Sequence, residues 1–434
     1  MNRQIRAAPE GSAAPSFAEA FRFWLKLGFI SFGGPSGQIA IMHTELVEKK
    51  RWIDESRFLH ALNFCMLLPG PEATQLAIYI GWLLHKTRGG IVAGALFVIP
   101  SIFILWALSY VYVAFGHVPW ITAIFYGLKP AVLAIVAAAV IRIGQKGLRT
   151  AIMWLIAAAA FVAIYFFYAP FPLIVISAGV LGFIIRKITN ERSTSTRDDA
   201  LPIQPRATLR RALSLSATWL AIWTMPLLLA GILLGTEHTI FREGIFFSKA
   251  ALVTFGGAYA VLPYVSQQAV ETYHWLGPGQ MLDGLGLAET TPGPLIMVLQ
   301  FVGFLGGWNH PGNLSPLLSA TLGALITTWT TFVPCFLWIF LGAPYIEKLR
   351  ENVLLSSALS TVTAAVVGVI LNLAVWFGVH VIFPPGGHAD WFAIVVCAIA
   401  FIGMLRWKWN IVPVVLGSGL LGLIYKLLVV ATAL

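Results

Sequence analysis

The residues best suited to chemistry in this chain surround a break in an apolar segment, LLPGPEATQLAIY at 67–79. Pro69 and Pro71 flank Gly70, so no helix can run through this point. One helix is expected to end near Leu68 and a second to begin near Pro71. The start of the second helix leaves backbone N–H groups unpaired and carries the positive end of the helix dipole. Such a break at membrane depth is predicted to bind an anion.

Polar side chains follow the break along one face of the second helix. Glu72, Gln75 and Tyr79 stand at positions i, i+3 and i+7, and Thr74 lies between them. Glu72 has two interpretations, a carboxylate that caps the helix start or a protonation site. In the second, the ionised carboxylate occupies the place of the anion and the protonated acid yields that place to substrate. A carboxylate inside a membrane is a functional candidate because burying its charge is costly.

The same kind of break occurs again in LAETTPGPLIMVLQ at 287–300. Its triplet consists of Pro292, Gly293 and Pro294. The polar residues now precede the break, as Glu289, Thr290 and Thr291. An apolar residue stands where the first copy has Glu72, so the two half-sites are predicted to differ in chemistry.

Both breaks belong to a longer repeat. FWLKLGFISFGG at 23–34 returns 223 residues later as FFSKAALVTFGG at 246–257, and Trp52 and Trp275 match at the same offset. One ungapped register over some fifty residues predicts two homologous halves. Each half carries a glycine pair, Gly33 with Gly34 and Gly256 with Gly257. Each pair is interpreted as a helix break that exposes backbone donors, or as a helix-packing surface.

Three residues beside the first glycine pair have no counterpart in the second half: Pro35, Gly37 and Gln38. They are predicted to carry chemistry that belongs to the first half alone. Gln38 and Asn63 are polar residues within apolar segments, and each either hydrogen-bonds between helices or lines a site. Lys26 and Lys249 match across the repeat. Each either reaches the membrane surface as an anchor or provides a cation along an anion pathway.

Composition places the chain in a membrane. Of its 434 residues, 58% are hydrophobic and only 11% are charged, whereas soluble domains carry about 25% charged residues. The net charge of +10 is explained by basic residues in short loops, so no nucleic-acid partner is expected. No cleavable signal peptide is expected. The three cysteines suggest neither a disulfide framework nor a metal site, and no cofactor is expected.

A span needs about 20 mostly apolar residues, and the sequence predicts an all-α polytopic protein with about 13 transmembrane helices. The predicted spans are 18–42, 58–85, 90–115, 120–143, 150–168, 170–185, 213–235, 245–268, 280–304, 314–342, 353–382, 391–405 and 410–430. The basic loops place the N-terminus inside and the C-terminus outside. The loop 43–57 is the exception, because it is predicted outside although it contains four basic residues.

The span at 213–235 has no partner in the first half, and one extra crossing inverts the second copy. The predicted organisation is an N-terminal tail 1–17, a first repeat 18–188, a cytoplasmic linker 189–212, the extra helix 213–235 and a second repeat 245–434. Inverted repeats are typical of secondary transporters, whose substrate sites lie at the midplane. An ion channel with duplicated re-entrant helices is the main alternative. An intramembrane enzyme is disfavoured because no motif of a metalloprotease, nucleotide hydrolase or serine hydrolase is present.

These motifs closely resemble the chromate ion transporter family. The resemblance rests on FWLKLGFISFGGPSGQIA, LPGPEATQLAIYIGW, FGGAYAVLPYV and TTPGP, and it covers nearly the whole chain. It implies a multi-pass carrier of the bacterial inner membrane that exports chromate and confers chromate resistance. Sulfate, of nearly the same size and geometry, stays open as a substrate, as do the coupling ion and a homodimer. The family motif residues are Gly33, Gly34, Pro35, Gly37, Gln38, Pro69, Gly70, Pro71, Glu72, Thr74 and Gln75, and Gly256, Gly257, Pro292, Gly293 and Pro294.

Overall fold

The computed structural model describes residues 15–189, 209–343, 353–384 and 388–432, and these form sixteen α-helices without any strand. The first half contains α1 (Phe17–Ile30), α2 (Gly34–His43), α3 (Glu55–Cys65), α4 (Glu72–Phe115), α5 (Pro119–Gly147), α6 (Ala151–Phe167) and α7 (Phe171–Thr189). The predicted N-terminal tail and almost all of the predicted linker lie outside the described residues.

The second half begins after one additional helix, α8 (Leu209–Leu234). Its helices are α9 (Thr239–Val253), α10 (Ala258–Gln267), α11 (Pro278–Thr290), α12 (Val298–Asn309), α13 (Pro316–Gly342), α14 (Val353–Ile382), α15 (Trp391–Arg406) and α16 (Ile411–Thr432). π-Helical turns follow α2 and α10, at Thr44–Lys49 and Gln268–Thr272, and a 3-10 turn, Leu295–Met297, leads into α12. The predicted breaks at the glycine pairs and the Pro-Gly-Pro triplets all separate helices here.

Nine of the predicted spans coincide with continuous helix. Seven helices of the described residues are long and apolar enough to cross a membrane: α4, α5, α7, α8, α13, α14 and α16. Two shorter apolar helices, α6 and α15, match the predicted spans 150–168 and 391–405. The chain is therefore an all-helical membrane protein, as predicted.

The four interrupted segments behave differently, because their two arms fold back on each other. In the predicted span 18–42, α1 runs inward to Ile30 and α2 runs back. The ring of Phe23 on α1 lies 5.3 Å from that of Trp52, which follows α2. The predicted span 245–268 folds in the same way, since Phe246 lies 5.7 Å from Trp275. These segments are re-entrant hairpins, which corrects their prediction as full crossings.

The predicted span 58–85 is also re-entrant. The first arm of α4 ends at His85, whose ring lies 5.5 Å from that of Phe17 at the start of α1. Non-helical backbone at His85 and Lys86 then reverses the chain. The second arm packs against the first through Gly81 and Gly89, which leave no room for a Cβ atom between them. In the second half, 280–304 ends likewise: Asn309 donates a hydrogen bond to the carbonyl of Trp275 at 2.8 Å.

Sequence periodicity could not separate these two outcomes, because an arm pair of this length fits a crossing or a hairpin equally well. The hairpins change the position of the loop 43–57, which lies at the same end of the molecule as the start of α1. Its basic residues then join the other basic loops on the predicted inner side. The exception to the positive-inside pattern disappears.

The remaining helices of the two halves interlock. α5 of the first half packs on α15 and α16, and α14 of the second half packs on α6 and α7. Small residues allow these close approaches. A Cβ atom at Gly127 of α5 would meet the backbone of Gly422 on α16 at 2.8 Å, and Gly368 of α14 lies against Ala157 of α6. Each half thus packs helices onto the other, as expected for two related halves that share one core.

Candidate functional site

The four breaks meet at the centre of the molecule and hydrogen-bond across the two halves. The amide of Gly70 donates to the carbonyl of Thr254 at 2.7 Å, and the amide of Gly293 donates to the carbonyl of Ser31 at 2.7 Å. The members of each pair are related by the repeat offset of 223 residues. Each Pro-Gly-Pro triplet is therefore fixed to the segment before the glycine pair of the other half.

Glycine is required in this backbone. All six break glycines have positive φ: Gly33, Gly34, Gly70, Gly256, Gly257 and Gly293. Side chains other than hydrogen rarely adopt this region. Gly293, with φ of 105°, has an additional constraint because a Cβ atom there would overlap the hydroxyl of Ser101. That hydroxyl donates to the carbonyl of Pro292 at 2.6 Å, so α4 of the first half supports the break of the second.

Three α-helices and one 3-10 turn begin at this centre. They begin at Gly34, Glu72, Ala258 and Leu295, and none of them has a side-chain cap. Residues from all four line one small void: Pro35, Gln38, Pro71, Glu72, Ala73, Ala258, Pro294, Leu295 and Ile296. Uncapped helix starts present N–H donors and positive dipole ends, so the void is suited to an anion.

The void is nearly closed in this conformation. Its free volume is about 10 Å³, which is room for about one water molecule. A tetrahedral oxyanion enters only if the two halves separate at their breaks. In this conformation the void is too small to hold the anion.

Glu72 is the polar residue of the first break that lines the void. It is the first residue of α4 and is half-buried. It lies beside the second glycine pair, since a Cβ atom at Gly257 would be 3.7 Å from its Oε1 atom. The ammonium group of Lys146 on α5 interacts with it electrostatically. Glu72 is thus shared between the two halves.

The other polar residues of that helix face do not reach the void with Glu72. The Nε2 atom of Gln75 donates to the carbonyl of Pro69 at 2.7 Å, which closes the break itself. Thr74 is fully buried and its hydroxyl has no partner among the described residues. Tyr79 packs between Phe64 and Trp82. The predicted single polar face therefore divides into a void residue and supporting residues.

Gln38 is brought to the centre as an inter-half contact. It is buried, and its Nε2 atom donates a hydrogen bond to the carbonyl of Gly293. Pro35 lines the void beside it. Gly37 instead lies against the segment that follows α1, where a Cβ atom on Gly37 would be 2.7 Å from the carbonyl oxygen of Phe32. Both interpretations of Gln38 therefore apply, because its side chain hydrogen-bonds to another segment and also lines the void.

In the second half, the carboxyl of Glu289 is buried and accepts a hydrogen bond from the hydroxyl of Tyr259 at 2.5 Å. Tyr259 follows Ala258 of the void, and sequence reasoning missed it although it stands two residues after Gly257. The hydroxyls of Thr290 and Thr291 bond back to the carbonyl of Leu287. The hydrogen bonds of the predicted polar trio are therefore all made within the second half.

The predicted lysines and Asn63 are exposed and do not line the void. Lys26 and Lys249 point away from the buried faces of α1 and α9. Lys26 interacts with Glu45, whose pKa is lowered mainly by its hydrogen bond with Lys49. This placement agrees with the interpretation as membrane-surface anchors. A role in the pathway stays a prediction.

Two other cations approach the centre. Arg142 and Lys146 lie one turn apart near the end of α5 and are exposed. Arg142 interacts electrostatically with Glu289, and Lys146 does so with Glu72. Neither cation was singled out as a site residue from the sequence. The i, i+4 spacing of two cations at the end of an apolar helix was the available signal.

Comparisons with known proteins agree with this architecture. The family profile described as chromate transporter matches residues 18–183 and 242–423, the two repeats. A chromate transport protein of Pseudomonas aeruginosa is 32% identical over 94% of this chain and 92% of its own length. A chromate transport protein of Cupriavidus metallidurans is 28% identical over 97% of both chains. An uncharacterised transporter of Methanocaldococcus jannaschii is 26% identical over 94% of both. No solved structure matches the chain. The chain belongs to the chromate transporter family.

Proposed function

We propose that this protein is a secondary transporter that exports chromate from the cytoplasm across the bacterial inner membrane and thereby confers chromate resistance. The observation that carries the proposal is the meeting of uncapped helix starts from both halves around one void. Midplane sites between inverted repeats are the usual location of substrate in such carriers. Chromate is the substrate that the names of the relatives suggest.

The centre offers what a tetrahedral dianion needs. Backbone donors approach it from both halves, and the amide of Gln38 adds a side-chain donor at the void. Glu72 competes with the dianion for these donors while it is ionised, and yields them when it is protonated. Proton binding at Glu72 would therefore favour substrate binding. This makes anion binding dependent on pH at the site itself. A proton gradient that drives export requires in addition a proton that moves in the direction opposite to the anion.

The cations of α5 support the direction of export. Arg142 and Lys146 are exposed at the end of the helix that the charge pattern places on the cytoplasmic side. Positive charge at an approach raises the local concentration of anions. Arg142 and Lys146 would therefore attract a dianion from the cytoplasm to the approach of the central void. Sulfate shares the charge and geometry of chromate, so it is the natural competitor.

The experiment is chromate uptake into everted membrane vesicles, with and without an imposed proton gradient and with sulfate as competitor. Export predicts saturable accumulation that depends on the gradient and that sulfate inhibits in proportion to its affinity. Membranes without the protein provide the baseline. Flux that is passive and does not saturate would identify an anion channel instead. The absence of any chromate flux would contradict the proposal.

A further inference from the structure

A carboxylic acid lies buried in the second half, away from the central void. Glu243 stands in the second turn of α9 and has no exposed surface. Neither of its carboxyl oxygens has a hydrogen-bond partner among the described residues. Buried polar groups are nearly always paired, so an orphaned carboxyl needs an explanation.

Two glycines leave the space that this side chain occupies. A Cβ atom at Gly323 of α13 would lie 2.7 Å from Oε2 of Glu243, and one at Gly306 of α12 would overlap Oε1. Trp275 closes the same corner, 3.2 Å from the Cβ position of Gly306. The carboxyl is in direct contact with bare backbone, so there is no room for a hydrated metal ion. A proton is the ligand that fits.

The first half forms the corresponding corner without a carboxyl. At the 223-residue offset that relates α1 to α9, the first half has Ala20 where the second half has Glu243. The fold of the repeat therefore does not require an acid here. The second half has therefore gained a buried carboxyl that the first half lacks.

No charge compensates an ionised Glu243. α12 has no ionisable side chain. The ionisable groups of the other segments packed on α9, and of α9 itself, are Arg210 and Arg211 of α8, Tyr259 and Tyr264 of α10, Cys335 of α13, Tyr273 and His274 beside Trp275, His238, Arg242 and Lys249. None of them interacts electrostatically with Glu243 in the described part of the chain. An isolated buried carboxylate is too costly, so the group is the neutral acid in this conformation.

Glu243 lies near the end of α9 that the charge pattern places on the outer side. Glu243 lies four residues after the first residue of α9, about 6 Å along the helix. The preceding His238 contacts Gly312 in the loop between α12 and α13, which the charge pattern places outside. Separation of α9 from α12 and α13 would bring the carboxyl to that water.

We propose that Glu243 is the binding site of a proton that is exchanged for the transported anion. Its carboxylate takes up one proton from water on the outer side and becomes the neutral acid when α9 packs on α12 and α13. It returns that proton to water on the inner side when the halves rearrange. This inference rests on the proposed transport function and assigns the exchanged proton to a carboxyl outside the central void.

The test uses purified protein in liposomes and two chromate assays. The first measures exchange of labelled for unlabelled chromate at equal pH, which needs no net proton movement. The second measures accumulation driven by a pH gradient. Glu243→Gln should keep exchange within about twofold of wild type and lose at least tenfold in gradient-driven accumulation. Unchanged accumulation would overturn the proposal, and absence of exchange in the wild type would instead contradict the transport function.

Two controls keep the result interpretable. Glu271→Gln removes an exposed carboxyl that bonds Trp376, and it should leave both assays unchanged. Glu243→Ala introduces the residue that the first half has at this position, and it replaces the glutamine variant in both assays if that variant does not fold. Infrared difference spectra of the wild type between acid and alkaline pH should contain the carbonyl band of a buried protonated acid. The proposal fails if the glutamine and alanine variants have the same carbonyl bands as the wild type, with none lost.

Discussion

Gly70 of the first half donates its amide hydrogen to the carbonyl of Thr254 in the second half at 2.7 Å, and Gly293 donates to Ser31 at the same distance. Two bonds related by the repeat thus tie each break to the other half. The donor of each bond is a glycine with positive φ, a backbone conformation that residues with a Cβ atom rarely adopt. Any movement that opens the central void must exchange these two bonds for others, so the same residues that fold the centre also control access to it.

Substitution of Gly293 by alanine should destabilise the protein. Positive φ costs about 1–2 kcal/mol in a residue with a Cβ atom, and overlap with Ser101 should add about 1–3 kcal/mol. Thermal unfolding in detergent measures the sum. Gly235→Ala is the matched control, because Gly235 has φ of 92° but open space around it. Equal losses in the two variants would show that the contact with Ser101 is unimportant.

Glu72→Gln should remove part of the pH dependence of transport. In the wild type, ionised Glu72 competes with the dianion, so substrate affinity should fall as the pH rises through its titration. The neutral variant should keep an affinity that is nearly independent of pH. Sulfate serves as the probe, because it remains a dianion over this range whereas chromate itself takes up a proton near neutrality. A variant with the wild-type pH profile would show that Glu72 only caps its helix.

Lys146→Met should raise the KM for the anion several-fold, and the effect should shrink at high salt. The reason is its electrostatic interaction with Glu72 at the approach to the void. Lys26→Met is the matched control, an exposed lysine on α1 that does not line the void. If the two variants change KM equally, the anion does not pass Lys146 on its way to the void.

Tyr259→Phe should destabilise the second half by about 1–3 kcal/mol, because it leaves the buried carboxyl of Glu289 without its donor. Unfolding in detergent measures the effect. Tyr264→Phe is the comparison, since the ring of Tyr264 stacks on Phe171 and is retained in phenylalanine. A smaller loss at 259 than at 264 would contradict the assigned role of the hydroxyl.

The repeats, the breaks and their residues followed from the sequence, because Gly33–Gly34 and the prolines of 69–71 interrupt helices by local sterics alone. The fold-back of the hairpins did not follow. It depends on contacts such as Phe23 with Trp52, which are distant in the chain and leave no periodic signal. Gln75 and Tyr79 were placed correctly on one helix face, but the neighbours that cover this face come from other helices. Glu243 was missed for the same reason, since its glycine partners lie on α12 and α13.

The hairpins predict a side for the loop 43–57 that differs from the one expected from uninterrupted spans. In a background without the three cysteines, Glu48→Cys and His117→Cys each introduce one exposed thiol. A membrane-impermeant thiol reagent added to intact cells should label position 117 and not 48, because the loop lies at the end of the molecule where α1 begins. Everted vesicles should show the reverse. Labelling of both positions from outside would mean that α1 and α2 cross the membrane as one broken span, and the basic residues of this loop would again lie on the outer side.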